Sequence, residues 1–112
     1  MHYRTLGKTE LNVSLLSLGT GGPSMFGQNK GLEQNNQTAL VRRCLDMGIN
    51  LIDTHERYKD SEKILGRALK GVPRDSYNLV TKWAYAPGVG DFNPDPEALA
   101  RSVERSLQRL RT

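Results

Sequence analysis

The run Asn50-Leu51-Ile52-Asp53-Thr54-His55-Glu56-Arg57-Tyr58-Lys59-Asp60-Ser61-Glu62-Lys63-Ile64-Leu65-Gly66-Arg67-Ala68-Leu69-Lys70-Gly71 holds one strand, one loop and one helix in order. Asn50 to Asp53 is a short, mainly apolar segment that ends on a carboxylate, which reads as a buried strand with a polar end. From about Ser61 to Lys70, Ile64, Leu65, Ala68 and Leu69 recur at helical spacing and form one apolar face. Gly71 can stop that helix, because glycine tolerates the left-handed backbone that ends many helices.

The same alternation extends to both sides. Upstream, residues 3 to 6 and 10 to 14 flank Gly7-Lys8-Thr9 and predict a β-hairpin. Leu15, Leu16 and Leu18 then lead into Gly19-Thr20-Gly21-Gly22-Pro23, a buried strand running into a glycine-rich loop. The polar stretch from Gln28 to Gln37 reads as loop. A helix from about Gln37 to Met47 follows, with Leu40, Val41, Cys44 and Leu45 as its apolar stripe and Gly48 just past its end. Downstream, Tyr77 to Lys82 reads as a third strand, and Ala84 to Asn93 as a loop rich in glycine and proline. Asp95 and Pro96 are a helix start signal, and Leu99, Val103, Leu107 and Leu110 mark one face of a helix ending near Leu110.

A hairpin followed by three strand–helix units implies an α/β fold with parallel strands and crossover helices. Short apolar strands suggest a sheet buried on both faces. An eight-stranded parallel barrel needs roughly 250 residues, and this chain has 112. The chain also stops after a helix, where a fourth strand would begin. The expectation is therefore the first part of a (β/α)8 barrel, a hairpin plus about three βα units of an incomplete barrel. Residues 1–112 would be the N-terminal part of a single domain.

Composition narrows the functional classes. The formal net charge of +4 is spread along the chain without a basic run of five, which argues against a nucleic-acid surface. The single cysteine, Cys44, excludes an internal disulfide and a cysteine zinc cluster, and its helical setting suits core packing. No segment has the apolar length of a signal peptide or a membrane span, so the expected location is the cytoplasm and no membrane partner is expected. His2 and His55 are too isolated for a metal site. Gly7-Lys8-Thr9 resembles the end of a phosphate-binding loop, but position 2 is His where the pattern needs glycine, and Gly19-Thr20-Gly21-Gly22 lacks dinucleotide-fingerprint spacing.

In parallel α/β folds, chemistry collects at the carboxyl ends of the strands. Gly19 and Thr20 end the first strand, Asp53 the second and Lys82 the third, with Tyr58 on the loop after Asp53. An ammonium near a phenol favours the phenolate, and a carboxylate beside the ammonium keeps it charged and in place. Such a trio could protonate a carbonyl oxygen as hydride reaches its carbon. The spacing leaves a second reading equally open: Asp53 caps the helix region, Lys82 is a solvated strand end and Tyr58 packs on a loop. Trp83 likewise walls a substrate pocket or makes an ordinary loop contact.

The run from Asp53 to Gly66 resembles the aldo-keto reductase signature D-T-A-x-x-Y-x-x-S-E-x-x-L-G. Gly48-Ile49-Asn50-Leu51-Ile52, the segment Tyr3 to Thr9, Val13-Ser14, Leu18-Gly19-Thr20, Thr81-Lys82, Ser102-Val103-Glu104 and Ser106-Leu107 are similar to other elements of that family, in order. The resemblance implies that Tyr58 is the general acid-base, with Lys82 and Asp53 tuning it. It implies NADPH, or in some members NADH, as hydride donor, with Gly19, Thr20 and Asp53 near the nicotinamide and ribose. It implies a small carbonyl compound or sugar as substrate, while leaving its identity and the oligomeric state open. The family's catalytic histidine would lie beyond Thr112. His55 stands where the family usually has a small residue, and either lines the pocket or packs on the loop. The same signature occurs in cofactor-binding regulatory relatives associated with channels, the alternative reading, and an inactive fragment is a third.

Overall fold

The computed structural model describes residues 1–83 and 95–112. The glycine- and proline-rich stretch expected as a loop lies outside the described residues.

Strands β1 (Tyr3–Thr5) and β2 (Asn12–Ser14) form the expected hairpin, antiparallel with Arg4 opposite Val13. The turn is closed by Leu6 N–H donating to Leu11 O at 2.9 Å and Thr9 N–H to Leu6 O at 3.0 Å. Strand β3 covers only Leu18–Gly19. The expected buried strand through Leu15 and Leu16 is corrected: these two are 58% and 63% exposed. Leu15 N–H still bonds His2 O beside the hairpin, and Ser14 Oγ donates to Leu16 O at 2.6 Å. Residues 15–17 thus turn the chain from the antiparallel pair into the parallel sheet.

That sheet has the order β3-β4-β5, with β4 at Leu51–Asp53 and β5 at Asn78–Val80, all parallel. Leu18, Ile52 and Leu79 are in register and pack into the core, whereas the next row, Gly19, Asp53 and Val80, points to the opposite face. Gly19 and Val80 are exposed, so the expectation of a sheet covered on both faces does not hold among the described residues.

Helix α1 (Gln34–Asp46) starts three residues before the expected Gln37, and a short 3-10 turn at Gln28–Lys30 lies within the stretch expected as loop. The first turn of α1 is Gln34, Asn35 and Asn36, all exposed, so no apolar period marks it. Its buried line is Gln37 and Val41, with Leu45 packed against the core; Leu40 is exposed and Cys44 half-buried. Gly48 turns the chain after α1 at φ +86°. Helix α2 (Ser61–Ala68) buries Ile64, Leu65, Ala68 and the following Leu69 as expected, and Gly71 ends that region at φ +79°.

Helix α3 (Pro96–Leu110) begins as expected, with Asp95 Oδ1 accepting from Glu97 N–H at 3.0 Å. Its buried face is corrected. Ser102, Ser106 and Leu110 are buried, while Leu99, Val103 and Leu107 are 39%, 48% and 45% exposed. Close approach to α2 selects the small residues. A Cβ on Gly66 would collide with the carbonyl oxygen of Arg109, so only glycine lets the helices meet at that distance. No helix among the described residues is long and apolar enough to cross a membrane.

Candidate active site

The alternation of the parallel strands continues past their formal ends. Thr20 and Thr54 follow Gly19 and Asp53, and both are fully buried. Thr20 N–H donates to Asp53 O at 3.0 Å and Thr54 N–H to Val80 O at 2.8 Å, which extends the sheet by one residue. The Thr20 hydroxyl lies 2.8 Å from that of Thr54, and Thr81 donates through Oγ1 to Glu62 Oε1 on α2 at 2.7 Å. Three threonines therefore close the helix side of the sheet, and the residues beside them, Asp53 and Lys82, emerge on the other.

There the side chains from β4 and the end of β5 meet. Lys82 Nζ donates to Asp53 Oδ1 at 2.6 Å and to Thr54 O at 2.9 Å. It stands 5.6 Å from the centroid of the Tyr58 ring, close enough for ammonium and aromatic face to attract. The pair is 41% and 37% exposed, so solvent and ligands reach it. Gly21 lies against Tyr58: a Cβ there would fall 2.7 Å from Cζ and 3.1 Å from the hydroxyl. Gly19 neighbours Asp53 in register, and a Cβ on it would meet nothing within 4 Å.

The loop that presents Tyr58 is tied down by residues distant in sequence. Gln28 Nε2 donates to Tyr58 O and to Ser61 Oγ at 3.1 Å, and its Oε1 accepts from Asp60 N–H at 2.9 Å. Between them Lys59 adopts φ +52°, and its ammonium binds Asn29 Oδ1. On the other side, Ser102 Oγ of α3 donates to Glu56 Oε2 at 2.6 Å. His55 Nδ1 accepts from Arg57 N–H at 3.1 Å, and its ring lies 5.2 Å from that of Tyr58. His55 thus both packs on the loop and borders the phenol. In its neutral form this bond places the ring proton on Nε2.

Asp53, Tyr58, Lys82 and Gly19 are brought together. The Thr20 hydroxyl is turned toward the helices and committed to Thr54 and to Asp53 O. Gln28, Gly21, Glu56 and Glu62 join the site without having been expected there from the sequence. Glu62 reads as an ordinary first-turn acid of a helix that also carries Lys63 and Arg67, so neither it nor Gln28 carried a local signal. The hydrogen bond and charge of Lys63 lower Asp60, and burial raises the Cys44 thiol. No group of three or more His, Cys, Asp or Glu that could hold a metal stands among the described residues.

A groove of about 240 Å³ lined by Lys82, Trp83, Leu99, Val103 and Leu107 opens beside the cluster. A larger one of about 440 Å³, lined by Gly66, Leu69, Tyr77 and Leu110, lies at the other end of β5 and does not reach it.

Parallel strands whose carboxyl ends gather an aspartate, a lysine and a tyrosine define an α/β protein with a polar, titratable cluster at the carboxyl end of its sheet. Residues 17–112 match the model of the aldo/keto reductase family, and the chain belongs to that family. It is 37% identical over 116 residues to L-galactose dehydrogenase of Arabidopsis thaliana, covering 98% of this chain and 34% of the relative. It is 37% identical over 123 residues to the NADH-specific methylglyoxal reductase of Escherichia coli, covering 94% and 37%. The holo form of an aldo-keto reductase from Bacillus halodurans superposes with a TM-score of 0.76 at 30% identity, covering all of this chain and 37% of that one. The chain spans about a third of the length of the curated relatives it matches.

Proposed function

We propose that residues 1–112 are the N-terminal part of a single (β/α)8-barrel domain whose protein reduces small aldehydes or ketones, or oxidises the matching alcohols or aldoses, using NADPH or NADH. The observation that carries this reading is the position of Lys82 Nζ, on Asp53 Oδ1 and over the Tyr58 ring.

The roles follow from charge. In reduction, Tyr58 gives its phenolic proton to the carbonyl oxygen while the carbon accepts hydride, so C=O becomes CH–OH and Tyr58 is left as phenolate. The Lys82 ammonium stabilises that phenolate, and Asp53 holds the ammonium where it can do so. In oxidation the phenolate takes the alcohol proton back. The residues present fit a nicotinamide cofactor, which supplies or accepts the hydride. The open space at Gly19 beside the half-exposed Asp53 carboxylate leaves room for a ribose, while Thr20 holds that strand end in place.

The test is NADPH and NADH oxidation with a panel of aldehydes and sugars, in the full-length chain and its Tyr58→Phe variant. Loss of the proton donor should lower kcat by about 10²- to 10⁴-fold, with cofactor affinity retained. Equal turnover by Tyr58→Phe would exclude this role.

A further inference from the structure

Glu62 is a carboxylate with only 2% of its surface exposed, and the proton-transfer scheme above makes no use of it. It sits in the first turn of α2, where the helix dipole favours an anion. Burying an anion is costly unless it is paired and hydrogen-bonded. Both oxygens are engaged. Oε2 meets Arg109 of α3 at 3.1 Å, and Oε1 accepts from the Thr81 hydroxyl at 2.7 Å.

Thr81 immediately precedes Lys82. Side chains along a strand alternate between faces, so a slip by one residue reverses every side chain. β5 is only three residues long and ends at Val80, so its ladder alone holds the end weakly. Val80 O accepts the last backbone bond, from Thr54 N–H. The Thr81–Glu62 bond then fixes the next side chain on the helix side, which directs Lys82 to the opposite side, toward Asp53 and Tyr58. Glu62 is itself held from α3, so the bond ends on a charge that two helices keep in place.

We propose that Glu62 and Thr81 are positioning residues for Lys82, with Arg109 holding the Glu62 carboxylate in its orientation. The inference rests on the acid-base reading of Lys82 given above, and it accounts for a threonine before that lysine and a glutamate in the first turn of α2. Neither residue takes part in the proton transfer itself.

The full-length chain tests it in three variants. Thr81→Val preserves shape and removes the donor, Thr81→Ser restores a hydroxyl, and Val41→Ala loosens the core far from the site. Thr81→Val should lower kcat per folded molecule by about 10- to 100-fold, since a displacement near 1 Å costs that much. KM should change little, and the pH profile of kcat should move to higher pH as the phenol loses its ammonium. Thr81→Ser should recover most of the rate, and Val41→Ala should lose stability without changing kcat or the profile.

A second readout needs no turnover. In a crystal structure of Thr81→Val, Lys82 Nζ should leave hydrogen-bond distance of Asp53 Oδ1. Wild-type kcat, pH profile and Lys82–Asp53 contact in Thr81→Val would overturn the proposal. Absence of turnover in the wild type would instead count against the oxidoreductase reading, with the Lys82 contact still deciding the positioning role.

Discussion

At the scale of single residues, Tyr58 is defined by what surrounds it. Its ring has Lys82 near one side, His55 beside it, and a glycine where any other residue would intrude. Gly21→Ala adds a methyl group 2.7 Å from the ring carbon that bears the hydroxyl. The ring must move, because carbon atoms pack at about 3.5–4.0 Å. Gly21→Ala is expected to lower kcat by about 10-fold or more through this displacement, with unfolding stability close to wild type. Steady-state kinetics together with a urea titration check both halves. An unchanged kcat would show that the phenol tolerates the shift. The Asp53, Tyr58 and Lys82 types were legible in the sequence because each ends or follows a strand. Gly21 was legible only as part of a flexible-looking loop, since its meaning depends on a ring 37 positions away.

At the scale of elements, the helices show how polarity can mislead. In α3 the conspicuous leucines and valine suggested the buried face, yet serines at 102 and 106 occupy it. Apolar periodicity reports which face can be buried; it does not report how closely the neighbour comes. Here α2 comes so close at Gly66 that small residues are required. Replacing Gly66 by alanine should destabilise the fold by about 1–3 kcal/mol, the usual cost of forcing a methyl group into a packed contact. This should occur despite alanine's better helix propensity, worth about 1 kcal/mol in the opposite direction. Chemical denaturation of the pair measures the balance; a more stable Gly66→Ala would mean that the helices can separate at no cost. In α1 the opposite error arose. The helix begins among exposed glutamine and asparagine residues, where no apolar period exists to read.

At the scale of the whole molecule, the helix-covered side of the sheet is well packed, and among the described residues the other side is open. Leu18, Ile52 and Leu79 sit on a continuous core, while Leu15, Leu16, Val80, Leu99, Val103 and Leu107 face outward. The radius of gyration is 15.0 Å, against about 13 Å for a compact domain of this length. Exposed apolar surface favours association. A chain of residues 1–112 alone should therefore self-associate in a concentration-dependent way, and it should bind NADPH only weakly. Light scattering and fluorescence titration are the measurements. A monodisperse monomer with micromolar cofactor affinity would contradict this expectation.

The sequence by itself determined the order of the main strands and helices, the parallel sheet, the helix cap at Asp95, the turns at Gly48 and Gly71 that follow α1 and α2, and the residue types at the strand ends. These follow from local rules: period, capping chemistry and glycine's backbone freedom, all read within a few positions. Only the tertiary structure decided that Lys82 reaches Asp53 and Tyr58, that Gln28 holds the Tyr58 loop, and that a buried Glu62 anchors Thr81. Each of these joins residues between 19 and 33 positions apart, and a contact across that distance depends on how helices pack, which no local period encodes. The run from Asn50 to Gly71 names the participants, and the packing of α2 between α1 and α3 puts them within reach of one another.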